Sequence, residues 1–236
     1  LAFPQSVGEG RRLGIRGIIF DVDGTLGDTV LLCYEAFRRT ILELTGRRWS
    51  DSEIHDLFGP SEEGVFQRLV PGRWREALEL FIDAYRELHP RMARPFPGLE
   101  EALSLLHSRN VPLAVVTGKG FRSASITLEM LDLRRHFERV EAGSSDGAMK
   151  PRAILKVVEG WGFSPWEVAY LGDSPYDMRA AREAGVLALA AAWASSATEE
   201  RLKLVRAEGP DELFHVVEQF RCWVEHNTGR SRHSDV

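Results

Sequence analysis

A chain of 236 residues, 44% hydrophobic and 28% charged, is long enough to bury a core without disulfide or metal staples, as one domain or as a domain carrying a smaller insertion. Its formal charge of −5 argues against a nucleic-acid binder, whose footprint is basic, and no uninterrupted apolar run is long enough for a membrane span. Cys33 and Cys222 are too few for a disulfide framework, and no basic-then-apolar leader opens the chain. The expectation is a cytoplasmic protein, monomer or homodimer, with no nucleic-acid or membrane partner.

The chain begins with Leu1 rather than Met, and residues 1–12 carry no structural weight in this reading. From Gly17 an apolar run, Gly17-Ile18-Ile19-Phe20, ends abruptly in Asp21-Val22-Asp23-Gly24-Thr25. Such a run reads as a buried strand whose carboxylates emerge at its end. Carboxylates at i and i+2 on extended backbone lie on one side, about 7 Å apart at Cα. Crowded negative charge in a low-dielectric site calls for a cation or a shared proton, and a hard ion such as Mg²⁺, which takes oxygen ligands, is the natural relief. The plainer reading is an Asp-rich turn.

From Thr29 to about His89 the texture is helical, with Leu32, Phe37, Ile41 and Leu44, then Ala77, Leu80, Phe81 and Tyr85, at three-to-four spacing. Pro95 and Pro97-Gly98 then mark a stiff connection. Beyond it helices and strands alternate: helix 99–108, strand 113–116, helix 122–131, strand 139–141, helix 152–161, strand 168–171, helix 176–184 and strand 186–190. That alternation implies βαβ units and a parallel sheet, hence an α/β core at 13–28 and 95–225. The helical block 29–94 is then an insertion hanging over the carboxyl ends of the strands, where ligands of such sheets bind. Residues 226–236 are polar and read as a frayed tail.

Each later strand ends in chemistry. Thr117-Gly118-Lys119-Gly120 offers a hydroxyl and backbone N–H groups at a helix start, suited to a phosphate, or simply a Gly-rich turn with a cap. Lys150, just before Pro151, and Lys119 compete to supply the one ammonium that a carboxylate-rich, phosphate-binding site requires. Gly172-Asp173-Ser174-Pro175-Tyr176-Asp177 places Asp173 at a strand end and Asp177 one helical turn on, where they can complete or orient a metal shell; capping by Asp173 or Ser174 is the simpler alternative.

These four motifs, in this order, resemble the haloacid dehalogenase-like (HAD) hydrolases, over about Ile15 to Ala192. The helical insertion directly after the first motif resembles the C1-type cap of that family. Pro97-Gly98 and Ala192-Trp193 are similar to phosphoglycolate-phosphatase-like members. The resemblance implies a Rossmann-like parallel sheet with helices on both faces. It also implies roles: Asp21 as nucleophile forming an aspartyl-phosphate, Asp23 as general acid and then base, and Thr117, Gly118 and Lys150 holding the phosphoryl oxygens. Mg²⁺ would be held by Asp21, by Asp23 through its backbone carbonyl, and by Asp173, with Asp177 in support. A dehalogenase lacks an acid at position 23, and phosphonatase-like members use a cap lysine, whereas 29–89 contains no lysine.

Substrate choice belongs to the cap. Gly59-Pro60-Ser61-Glu62 resembles the cap loop that reaches the active site, making Gly59 and Ser61 candidates, against a plain helix start capped by Ser61. Arg38, Arg47, Arg68 and Arg94 could meet a second anionic group. Tyr34 and Phe37 read as cap core, and the singly placed histidines offer no zinc spacing. The expected activity is Mg²⁺-dependent hydrolysis of a small, phosphoglycolate-like phosphomonoester metabolite. A β-phosphoglucomutase-like mutase is the alternative, ahead of a pyrophosphatase or a non-catalytic scaffold.

Overall fold

The computed structural model describes residues 14–147 and 149–229. The expected start of the core at Leu13, the termini 1–12 and 230–236, and Ala148 beside Lys150 lie outside the described residues. Six strands form one parallel sheet: β1 (Gly17–Phe20), β2 (Leu113–Val116), β3 (Arg139–Glu141), β4 (Val168–Gly172), β5 (Leu187–Ala191) and β6 (Glu212–Phe214), in the order β3-β2-β1-β4-β5-β6. β1 is central, with Ile19 registered between Ala114 of β2 and Tyr170 of β4.

The continuous apolar runs follow from this placement, because the central strands are buried on both faces. Ile18 and Phe20 enter one core and Ile19 the other, as the two-residue period of a strand requires. Burying such side chains fully stabilises the fold by roughly 1.5–3 kcal/mol each. That anchors β1 firmly, and with it the residue that follows. Since every strand is parallel, Asp21, Thr117 and Asp173 all emerge at the same edge. The chain order reverses between β1 and β4, so Asp21 and Asp173 flank the switch point where ligands of such sheets bind.

Between β1 and β2 come α1 (Val30–Thr45), α2 (Asp51–His55), α3 (Glu62–Leu69), α4 (Trp74–Met92) and α5 (Leu99–Ser108). The first four share a core of their own, built on Leu32, Phe37, Ile41, Ile54, Phe66, Phe81 and Tyr85. The Phe37 and Phe81 rings lie 4.6 Å apart. The chain leaves and returns side by side, Asp28 N–H donating to the Arg94 carbonyl at 3.2 Å.

The remaining helices are α6 (Phe121–Met130), α7 (Lys150–Trp161), α8 (Pro175–Ala184), α9 (Glu199–Ala207) and α10 (Val217–Asn227). Two differences from the sequence reading stand out. Lys150 begins α7 instead of preceding it. The expected frayed tail starts too early, because α10 runs to Asn227 and buried Thr228 pairs with Ile15 beside β1. Apolar Val217, Phe220 and Val224 hold this helix on the core. No described helix is long and apolar enough to cross a membrane.

Candidate active site

Asp21 is fixed by its own N–H, which donates to the Leu171 carbonyl at 2.9 Å. The chain then turns sharply on Gly24, whose φ of +74° belongs to glycine. A Cβ on Gly24 would lie 2.2 Å from Asp173 Oδ2, so the first strand-end loop passes directly against the second. Asp21, Asp173 and Asp177 each bring a carboxylate oxygen within 4.8 Å of the others, all three buried. Burial, then the neighbouring carboxylates, raise Asp21 to about 6 against the pull of Lys150. Burial likewise raises Asp173 to about 8, with Arg201 opposing and Asp177 and Asp21 adding to it.

The three differ in what they have left to offer. Asp177 is used up: Lys150 Nζ and Tyr170 Oη donate to one oxygen, and Ser174 N–H and Oγ donate to the other, at 3.0 and 2.6 Å. Burial alone would raise its pKa, but Lys150 and Ser174 hold it below the usual range. The capping of α8 by Ser174 and the support of the site by Asp177 are therefore one arrangement, not rival readings. Asp173 gives Oδ2 to Arg201 Nη2 at 2.9 Å. Asp21 accepts from Lys150 Nζ at 3.0 Å on Oδ2, while its Oδ1 is buried with no partner. A buried carboxylate oxygen left orphaned beside two like charges fits a hard divalent cation such as Mg²⁺.

A second cluster forms around Asp23, whose side chain turns away from the other three. Its carboxylate accepts from Thr29 Oγ1 and, at 3.2 Å, from Lys119 Nζ. Lys119 is a core residue enclosed by the helical insertion: the Tyr85 ring lies 4.4 Å from Nζ, Cys33 Sγ 2.8 Å and Glu62 Oε1 3.8 Å. Burial would lower the pKa of Lys119, but Asp23, Cys33, Tyr85 and Glu62 outweigh it and hold it well above the usual lysine range. Glu62 is itself clamped, accepting from Gly120 N–H and Ser123 Oγ, each at 2.5 Å. A Cβ on Gly120 would sit 2.3 Å from Glu62 Oε2.

The competition between the two lysines thus ends in a division of labour, Lys150 with Asp21 and Asp177, Lys119 with Asp23 and Glu62. Thr117 is buried at the end of β2, and its hydroxyl lowers the pKa of Asp21. Gly59, Thr117, Gly118 and Lys150 line one cavity with Met149 and Tyr176. Ser61 is not in that lining. Its N–H donates to the Ser144 carbonyl at 3.0 Å, docking the insertion on the core, and its buried hydroxyl neither caps α3 nor finds another partner. Arg38 and Arg47 are paired with acids of the insertion, Arg94 holds backbone carbonyls, and Arg68 is exposed. Among the described residues the aspartate triad is the one metal-type cluster, with no histidine in it.

Sequence reasoning passed over Glu62, Thr29, Cys33 and Arg201. Glu62 stood in the quoted cap loop, but an acid in the first turn of a helix reads as dipole compensation. Arg201 lies on α9, beyond every recognised motif, and nothing local ties it to Asp173.

The parallel sheet gathers carboxylates and two lysines at its carboxyl edge beside a helical insertion, and the buried aspartate triad is of the kind that can hold a metal ion. The chain belongs to the haloacid dehalogenase-like hydrolases, whose family model matches residues 18–191. It is 30% identical over 191 residues to a phosphoglycolate phosphatase of Chromobacterium violaceum, covering 76% of this chain and 86% of that one. A phosphorylated-carbohydrates phosphatase of Thermotoga maritima is also 30% identical, over 179 residues, 73% of this chain and 82% of its own. Pyrophosphatase PpaX of Halalkalibacterium halodurans is 26% identical over 174 residues, 73% and 81% of the two chains. The protein is thus a phosphatase of this family.

Proposed function

We propose that the protein hydrolyses a small phosphomonoester in two steps with Mg²⁺ bound, through an aspartyl-phosphate on Asp21. The observation that carries this reading is the Asp21 carboxylate: one oxygen faces Lys150 and the other is unclaimed, the open valence that a metal ligand and a nucleophile both need. Asp21, Asp173 and the Asp23 carbonyl would hold the ion, which supplies Lewis-acid stabilisation of the phosphoryl oxygens.

An oxygen of Asp21 attacks phosphorus, the bond from phosphorus to the ester oxygen breaks, and Asp23 gives that oxygen its proton. Asp23 then takes a proton from water, whose oxygen attacks the same phosphorus and frees Asp21 and inorganic phosphate. Thr29 and Lys119 hold the Asp23 carboxylate in place for both transfers. Lys150 and Thr117 meet the phosphoryl oxygens, so charge neutralisation and positioning account for most of the rate. The names of the relatives span a carboxylic acid, a carbohydrate and inorganic phosphate as leaving groups, which leaves that choice to residues of this chain.

Phosphate release from a panel of small phosphomonoesters, with and without Mg²⁺, tests the proposal. Asp21→Asn should lower it ~10³-fold or more while the far-UV circular dichroism is unchanged. A variant within tenfold of wild type would overturn the nucleophile assignment.

A further inference from the structure

Glu62 reaches from the insertion into the leaving-group side of the site and is 6% exposed, a burial that acids tolerate only when paired. It meets Lys119, the cation next to Asp23 and so next to the ester oxygen that Asp23 protonates. A lysine there, left free, would receive a carboxylate or a second phosphate on the leaving group. Here both of its ionic partners are already supplied by the protein.

The charge balance of the whole site agrees. With its carboxylates deprotonated, as metal binding requires, Asp21, Asp23, Glu62, Asp173 and Asp177 face Lys119, Lys150 and Arg201, leaving two negative charges in excess, which a divalent cation cancels. The dianionic phosphoryl group then brings two more. Of the other titratable groups beside Lys119, His89 adds no charge near neutral pH, because burial and then Lys119 push its pKa down to about 4, and burial raises the pKa of Cys33 and of Tyr85 so that both stay neutral. Among the described residues no buried cation of the site is without a carboxylate partner. What the loop does offer is the Ser61 hydroxyl, 1% exposed and unpartnered beside Gly120. An uncharged hydroxyl can exchange a hydrogen bond with it.

We infer that Glu62 is a specificity-determining residue that occupies the anion site of Lys119, so that the leaving group is an uncharged, hydroxyl-bearing alcohol of the polyol or sugar class. The inference rests on the phosphatase reading above and sets its leaving group against the phosphoglycolate-like one expected from the sequence. Two like charges ~6 Å apart at an effective dielectric near 20 repel enough to change a rate constant by roughly a hundredfold.

The test compares kcat/KM for 2-hydroxyethyl phosphate and 2-phosphoglycolate, esters of equal length that differ in hydroxymethyl against carboxylate. Wild type should favour the neutral ester by about tenfold or more, and Glu62→Gln, which keeps shape and removes charge, should shrink that ratio by a similar factor by raising turnover of phosphoglycolate. Wild type favouring phosphoglycolate overturns the inference without a variant being needed, and so does an unchanged ratio in a folded Glu62→Gln. Release of no phosphate from either ester, nor from the wider panel, overturns the phosphatase reading and this inference with it. A normal panel with the wrong ratio overturns this inference alone.

Discussion

Two buried ammonium groups do separate work in this site, and their partners show why one could not serve for both. Lys150 bridges Asp21 and Asp177, while Lys119 serves Asp23 and meets Glu62 across the boundary with the insertion. Burial alone would lower the pKa of Lys150, yet Asp177 and Asp21 hold it above the usual lysine range. Removing one member of a buried ion group strands the others, at a cost of about 3–5 kcal/mol. Lys150→Ala should therefore lose about that much stability in urea denaturation at pH 7, and at least ~10²-fold in phosphate release for want of its phosphoryl contact. The stability loss should shrink toward pH 5, where the stranded carboxylates take up protons. A variant as stable as wild type at pH 7 would show that the bridge is not formed in solution. On the residues alone Lys119 and Lys150 competed for one role, which only the family resemblance gave to Lys150, because both stand at strand-to-helix junctions and the partner of each lies far along the chain.

At the scale of elements, legibility followed burial. The strand at 113–116 coincides with the sequence reading and the strand at 168–171 is extended by Gly172 alone, because a fully buried run announces itself by composition, while the half-buried Arg-Val-Glu strand at 139–141 also falls where it was expected. β6 went unseen: it is three residues long, opens on exposed Glu212 and lies at the sheet edge, where one-sided burial leaves little pattern. α9 and α10 were likewise unassigned, though α10 is held by Phe220, Trp223 and Val224. The core motifs of the site were legible because each follows a strand of a parallel sheet, whose ends must gather at one edge. Contacts from the insertion were not. Glu62 reaches Gly120 across a separation of 58 residues, and no local pattern encodes such a meeting.

On the scale of the whole molecule, the fold concentrates more carboxylate than cation at one sheet edge, and that excess makes stability depend on pH and metal together. Asp21 and Asp173 titrate at about 6 and about 8 in the folded protein, above the 3.8 of an unfolded aspartate. Between pH 5 and 8 the folded state therefore holds protons that the unfolded state has released, so their contribution makes stability fall as pH rises. Mg²⁺ binds the deprotonated carboxylates and should reverse this. In chelator the melting temperature should drop from pH 5 to 8, and Mg²⁺ should raise it by ~3 °C or more at pH 8 but by less at pH 5. An equal shift at both values would contradict Asp21 and Asp173 as the metal-binding carboxylates. The most direct test of the whole account is the covalent intermediate itself. A short incubation with substrate and Mg²⁺, quenched in borohydride, converts an aspartyl-phosphate to homoserine, which peptide mass spectrometry locates. The account predicts homoserine at position 21 and nowhere else; capture at another carboxylate, or turnover with Asp21 never phosphorylated, would contradict it.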